Sequence, residues 1–395
     1  MNIYEQISAY VDQELDTYKA LAMKIFAHPE TSNHEYYACE QLTALLSENG
    51  FQIKQDIAGH PTGFIASYPS KKKGPIIGIL CEYDALPKLG HACGHNIYAA
   101  VSALSAVSLK QVIDEIGGEV RLFGTPCEEG GENANAKISY VNAGLFQDVD
   151  VALSLHPSFY TRVSPPTLAI DGMEVEYFGK ASHSSTAPEK GVNALDAGVM
   201  CYNGISVLRQ QMEDGLRYSA YFTNGGQPGI IPDYCSLHIG VAALSRKQAN
   251  DAMMKLERIA KAQSEAFGCE VVITKRDRCD DEMILTPLLD ERYMYYMEQL
   301  DGGNRNYDYH GGLGATDVGN VSHVIPTLHS RLSISNTAIS AHTVEFKEAA
   351  GSEYGLNQIA KGAKALAFIG VDLIIDATYL EAVKKQHKEN CEELA

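Results

Sequence analysis

Pro75-Ile76-Ile77-Gly78-Ile79-Leu80-Cys81, then Glu82-Tyr83-Asp84-Ala85-Leu86-Pro87, then Gly90-His91-Ala92-Cys93-Gly94-His95-Asn96: a buried-type apolar run, two acids, and a glycine-bounded turn with two histidines and a cysteine. The apolar run has the length of a strand. Gly90 and Gly94 allow the turn to bend without steric cost. Residues 97–109 are rich in Ala, Val and Leu with no Gly or Pro, which predicts a buried helix. Strand, turn and helix in that order form one step of an α/β sheet. The turn offers metal-ligand chemistry, although a plain strand-to-helix loop with a buried cysteine and surface histidines fits the same residues.

On either side the pattern extends. Ile7, Tyr10, Val11, Leu15, Tyr18, Leu21 and Ile25 stand at helical spacing over the first forty-odd residues, and a further helix is expected at 37–48. Strands are predicted at 63–68, 76–81, 119–124 and 150–155, several separated by helices, the pattern of an α/β sheet with parallel strands. From 168 the order becomes strand 168–178, helix 192–212, strands 218–224 and 234–242, helix 246–267, strand 270–278. That is βαββαβ, a ferredoxin-like unit inserted into a larger domain. The expected organisation is a discontinuous domain, 1–167 and 281–395, with an inserted domain at 168–280. After the insertion come a helix at 288–300, the Gly-rich stretch 311–314, short strands around Val321 and Leu328, and two closing helices. Crossings near Leu168 and Asp280 suit a hinge.

Composition narrows the partners. With 32 Lys+Arg against 50 Asp+Glu the formal charge is −18, which argues against nucleic acid and anionic membranes, because phosphate binding needs basic surface. Lys71-Lys72-Lys73 reads as a solvated hairpin tip. The first residues lack a basic and apolar leader, and no span approaches the length of apolar chain needed to cross a bilayer, so a cytoplasmic protein is expected. Nine scattered cysteines are not a disulfide framework and are expected as mostly buried free thiols.

Polar clusters fall where predicted strands end, and in open α/β sheets those ends converge on the ligand. After the opening segment the next is Thr125-Pro126-Cys127-Glu128-Glu129-Gly130-Gly131, in which adjacent acids point differently, so that one can bind a metal while its neighbour moves protons. The third is His156-Pro157. Seen singly, Glu128-Glu129 reads equally as a helix cap and His156 as a hydrogen-bonded core residue. Three strands each ending in metal-competent groups supply the inventory of a two-metal site.

These segments, with Gly179-Lys180-Ala181-Ser182-His183 and Ala341-His342-Thr343, give the chain over nearly its whole length a resemblance to the M20 metallopeptidase family. Within it they are similar to the amidohydrolase branch that includes aminobenzoyl-glutamate hydrolases, hippurate hydrolases, N-acyl-amino-acid hydrolases and dipeptidases. The resemblance implies a metallopeptidase domain with a mixed, largely parallel sheet flanked by helices, carrying a ferredoxin-like lid. It implies Cys93, His95, Glu129, His156 and His342 as ligands of two divalent metal ions, and Glu128 as the base that takes a proton from the attacking water. Asp84 would orient a ligand, and His183, from the lid, would help bind the oxyanion. His91 is left to the turn. One thiolate, one carboxylate and three neutral imidazoles leave two divalent ions net positive, suited to a developing oxyanion; zinc fits, with manganese, cobalt or nickel as substitutes. Substrates are expected to be small peptides or N-acyl amino acids, and the protein a homodimer or higher homo-oligomer through the lid.

Three positions depart from the family pattern. Asn96 stands where relatives often carry Asp, Gly229 opens what is usually Asn-Ile-Ile-Pro, and Ala242 occupies a strand position that often holds Arg. The last two remove groups that help hold the substrate's carbonyl or carboxylate. Two other readings compete: Cys93 as a nucleophile activated by His91 or His95, and a non-catalytic binding protein on the same fold.

Overall fold

The computed structural model describes residues 1–301 and 313–394. The chain divides into two units, Met1–Pro166 with Met283–Leu313 and Asp317–Ala395, and Thr167–Glu282 with Gly314–Thr316. The first opens with α1 (Ile3–Ala27), α2 (Tyr36–Glu48), β1 (Gln52–Ile57), β2 (His60–Pro69), β3 (Ile76–Cys81), α3 (His95–Ile116), β4 (Glu119–Gly124), α4 (Ala136–Asn142) and β5 (Val151–Ser158). The second holds β6 (Ala169–Phe178), β7 (Ser182–His183), α5 (Ala194–Leu208), β8 (Arg217–Asn224), β9 (Ile230–Ile231), β10 (Tyr234–Ala243), α6 (Arg246–Phe267) and β11 (Glu270–Lys275). The first then resumes with α7 (Pro287–Gln299), α8 (Val318–Ser322), β12 (Thr327–Ser333), α9 (Val344–Ala350), α10 (Glu353–Ile375) and α11 (Ala377–Leu394).

In the first unit six strands pair in the order β1-β2-β4-β3-β5-β12. The four from β4 to β12 are parallel, and β2 and β1 continue the sheet antiparallel. This is the mixed, helix-flanked sheet that the sequence predicts. Successive strand residues face opposite ways: Ile79 and Cys81 join a core with α1, α3 and α10, whereas Leu80 and Ala152 join a second one with Phe123, Val318 and Val321. Every residue of α3 from His95 to Leu109 is buried, and burying each large aliphatic there contributes about 1.5–3 kcal/mol. Close packing needs a small residue on α10: a Cβ at Gly362 would lie 2.9 Å from Leu332 and 3.1 Å from Val101.

α3 corrects one expectation, being long and apolar enough by length and composition to cross a membrane; 89% of that window is buried inside the structure, as in a core helix.

The second unit is a four-stranded antiparallel sheet, β11-β6-β10-β8. Alternate residues of β6, among them Met173, Val175 and Tyr177, pack with α5 and α6 in one core. The element order is the βαββαβ read from the sequence, with one addition: β7 and β9 pair as a short ribbon, Ser182 opposite Ile231 and His183 opposite Ile230. Gly229 precedes that ribbon at φ 87°.

Other expectations are corrected. The N-terminal helix stops at Ala27, because Pro29 and the positive-φ residues Ser32 and Asn33 break it before α2. The edge strand β1 escapes prediction since only Ile57 of it is buried, leaving no alternation to read. Val321 lies in α8 rather than a strand, a short apolar run being ambiguous in period. Lys71-Lys72-Lys73 links β2 to β3, which are not neighbours, so it is not a hairpin tip. Three helices close the chain, not two. Gly311 and Gly312 lie outside the described residues. All nine cysteines are free, and seven of them are buried.

Candidate metal centre

β3, β4 and β5 release their chains at the same end of the sheet, so the turns after β3 and β4 and the end of β5 meet. Gly94, at φ 77°, ends the Cys93 turn and begins α3. A Cβ there would lie 2.7 Å from Pro157 Cβ, so only glycine lets this turn reach His156. From the far end of the chain, His342 adopts φ 64° and its backbone N–H donates to Ala92 O at 2.9 Å. That bond ties the last donor onto the same turn.

The donor atoms come together in small groups. Ligand atoms of Cys93, His95 and His156 lie within 4.8 Å of one another, as do those of Cys93, Glu129 and His342, and those of Glu82, His95 and Glu128. Cys93 Sγ is 3.4 Å from His156 Nε2, and His342 Nε2 is 3.2 Å from Glu129 Oε2. His95 Nδ1 is 2.9 Å from Asp84 Oδ1, while Asp84 Oδ2 accepts from Glu129 N at 2.9 Å. His156 Nδ1 donates to Pro157 O at 2.8 Å. With each Nδ1 engaged by oxygen, both rings are left with Nε2 to ligate a metal, the usual preparation of a ligating histidine. His95 Nε2 and Glu129 Oε1 are buried without a hydrogen-bond partner. A thiol, three imidazoles and a carboxylate with orphaned donor atoms fit divalent cations.

Electrostatics separates the two glutamates. Burial and Glu82 push the Glu128 carboxyl well above its ordinary value, with Lys137 acting in the other direction. Burial also works against charge on Glu129, but the His342 hydrogen bond and His95 draw it below the ordinary value. Burial raises the Cys93 thiol, and it opposes charge on His95, which Cys93 and Asp84 nevertheless raise well above an ordinary imidazole. A bound cation would reverse both, since ligands bind as thiolate and neutral imidazole.

The sequence reading did not assign roles to Glu82, Lys137 or Asp317. All three are buried: Lys137 Nζ stands 2.8 Å from Glu82 Oε1 and 2.6 Å from Asp317 Oδ1, and Glu82 Oε2 approaches His95 Nε2 at 3.2 Å. Glu82 sits in the quoted opening segment, directly after the last residue of β3. Nothing local marks Lys137 or Asp317, which are 180 residues apart. His91 serves the turn: buried, its Nε2 donates to Ile25 O at 3.1 Å, and burial lowers it to about 4. His183 stands in the second unit on β7, exposed, with Nδ1 accepting from Ser185 N and Thr186 N; it is not among the groups gathered by the first unit. Asn96 donates from Nδ2 to Ala350 O at 3.0 Å, so it fastens α3 to α9.

The turn carrying Glu128 and Glu129 hangs on Glu35. Cys127, at φ 61°, donates its N–H to Glu35 Oε1 at 3.1 Å, and Thr62 donates to Oε2 at 2.7 Å. Burial and Asp84 raise Glu35 from 4.5 to about 7. A carboxyl raised in the folded state favours folding when protonated, so its contribution is complete below about pH 4.5 and lost as pH rises through 7, up to about 3 kcal/mol. Glu35→Gln keeps the acceptor and removes the titration. Urea midpoints of the metal-free protein should fall more steeply from pH 5 to 8 in wild type than in Glu35→Gln; parallel slopes would refute the assignment.

Comparison with known proteins gives concordant matches. The peptidase dimerisation domain matches residues 169–267. The Xaa-Arg dipeptidase of Mus musculus is 36% identical over 393 residues, covering 96% of this chain and 90% of that protein. Among solved structures, a putative aminohydrolase from methicillin-resistant Staphylococcus aureus superposes with TM-score 0.80 at 17% identity, over 95% of this chain and 100% of that one. A dinuclear metal-binding peptidase of the M20 family from Bacillus subtilis gives TM-score 0.68 at 19% identity, over 92% and 99%.

Proposed function

The chain belongs to the M20 family of metallopeptidases and amidohydrolases, and from that premise we propose that it hydrolyses an amide or peptide bond in small peptides or N-acyl amino acids. The observation that carries this reading is the pair of donor groups sharing Cys93, one with His95 and His156 and one with Glu129 and His342. Two divalent ions, zinc in our reading with manganese, cobalt or nickel able to substitute, would make a water nucleophilic near neutral pH and polarise the scissile carbonyl. Glu128 takes the proton from that water as it attacks the carbonyl carbon and delivers it to the leaving amine. Asp84 fixes the His95 ring and the Glu129 backbone together. His183 supplies a hydrogen bond to the tetrahedral oxyanion. The unit bearing the dimerisation domain supports a homodimer, and the acidic composition supports small molecules rather than nucleic acid as substrates; we place the protein in the cytoplasm.

The test is a substrate panel of Xaa-Arg dipeptides, other dipeptides, N-acyl amino acids and longer peptides, run on metal-loaded protein and on protein verified metal-free. We expect turnover only with metal. Full activity without metal would overturn the scheme and favour Cys93 as nucleophile, and metal binding with no turnover across the panel would favour a binding protein. Loading should also release protons, as Cys93 and His95 change state, so calorimetric heats should vary with the ionisation enthalpy of the buffer.

A further inference from the structure

Away from the donor cluster, residues of α1, α7, α10 and α11 enclose a cleft of about 780 Å³, a size that suits a small-molecule ligand. All four helices belong to the first unit, and no donor residue takes part. One wall is a single face of α7, on which Leu288, Glu291, Arg292, Tyr295 and Gln299 recur at helical spacing. The other face of α7 is fixed from behind. Asp290 Oδ1 accepts from Ser164 N at 2.7 Å and from Ser330 Oγ at 2.8 Å, and Tyr293 OH donates to Arg331 O at 2.9 Å. The wall is therefore formed before any ligand arrives.

The lining is aromatic and acidic. Tyr4, Tyr295, Tyr296, Phe368 and Tyr379 supply the rings. Tyr296 packs edge to face against both Phe368 and Tyr295, with centroids 5.2 Å apart in each pair, while Tyr295 is itself 55% exposed at the rim. Asp372, buried at the base, accepts from Tyr4 OH at 2.5 Å on Oδ1, and on Oδ2 from Tyr296 OH at 2.6 Å and Arg292 Nη1 at 2.5 Å. Burial and the bond to Asp372 push Tyr4 up to about 12 and raise Tyr296 as well, so these hydroxyls remain donors.

Arg292 shows which charge the cleft accommodates. Its guanidinium pairs with Asp372 and lies 4.2 Å from the centroid of the Tyr379 ring, so a carboxylate and a tyrosine face already hold one planar cation here. Burial opposes that charge, and Asp372 nevertheless raises the guanidinium. Asp372 cancels Arg292, which leaves Glu291, exposed on the same wall, as the uncompensated charge of the lining; its field reaches Tyr379. Ring faces and a net negative wall both attract a cation.

We propose that this cleft is a second binding site, for a small organic cation of the amidinium or guanidinium class with an apolar or aromatic body. The inference goes beyond the hydrolase reading and does not depend on it, since binding is measured without turnover.

The test is calorimetric titration of the metal-loaded protein with benzamidine, a planar cation at neutral pH, beside its neutral counterpart benzamide and the anion benzoate. Benzamidine should bind best and benzoate not at all. Glu291 and Tyr295 are exposed, so substitutions there should leave the unfolding midpoint unchanged. Tyr295→Ala should weaken benzamidine binding roughly three- to tenfold, the worth of one cation–π contact. Glu291→Gln should weaken it about two- to fivefold, the scale of an exposed charge pair, and Glu291→Lys should weaken it further. Benzamide binding as tightly as benzamidine would mean an apolar slot without charge selection and would overturn the proposal. So would the absence of saturable heat in the millimolar range. Wild-type affinity in both Tyr295→Ala and Glu291→Lys, or a loss that instead follows Glu129→Gln, would put the cation elsewhere and overturn it too.

Discussion

Glu128→Gln should lower kcat by about two to four orders of magnitude, the usual worth of a positioned general base, while metal content stays at the wild-type level. Gln preserves size and hydrogen-bonding capacity but cannot accept the proton. The choice of Glu128 over Glu129 follows from their surroundings. Glu129 faces His342 and His95 and is held as an anion, the state of a ligand, whereas burial and Glu82 make a proton on Glu128 more favourable. Neighbouring carboxyls pushed apart in this way divide the labour of an acid–base pair. Glu129→Gln should therefore show the converse defect, loss of bound metal measured by elemental analysis. Turnover of Glu128→Gln within a few-fold of wild type, in protein retaining its metal, would refute the base assignment.

The contrast between the two glutamates could not be read from their adjacency, and it illustrates what the sequence carries here. Local patterns were legible because burial imposes them: residues 76–81 and 119–124 read as strands and form β3 and β4 at those bounds, since both lie inside the sheet. Edge strand β1, buried only at Ile57, had no such imprint. The donor-bearing segments are legible because strand ends in a parallel sheet converge, which brings 90–96, 125–131 and His156-Pro157 together, and the resemblance to the family picks out Cys93, His95, Glu129 and His156 among them. What stayed hidden depends on pairings across long stretches of chain. The ion pair of Lys137 with Asp317 joins α4 to the residue before α8. A lysine in an ordinary helix carries no local signature of such a pairing.

Lys137→Met should cost about 3–5 kcal/mol of unfolding free energy, the range for removing one partner of a buried charge network. The side chains of Lys137, Glu82 and Asp317 are all fully buried, so no water can take over the role of the ammonium. Its loss leaves Glu82 and Asp317 as unpaired carboxyls, with Glu128 nearby; all three charges favour the lysine cation against the burial that opposes it. The backbone bond from Lys137 N to Asp317 Oδ2 at 3.0 Å survives the substitution, so the penalty comes from the charge itself. Adding Glu82→Gln and Asp317→Asn to Lys137→Met removes the stranded anions and should recover most of the stability, because a neutral buried set avoids desolvating charge. Metal affinity should separate the variants differently: the triple variant replaces the carboxylate 3.2 Å from His95 Nε2, so stability would return without full restoration of metal binding. Urea unfolding of the three proteins, metal-free, gives the first comparison and a metal titration the second. A loss below about 1 kcal/mol in Lys137→Met, the range of an exposed ion pair, would refute the role of the lysine as the partner that holds Glu82 and Asp317.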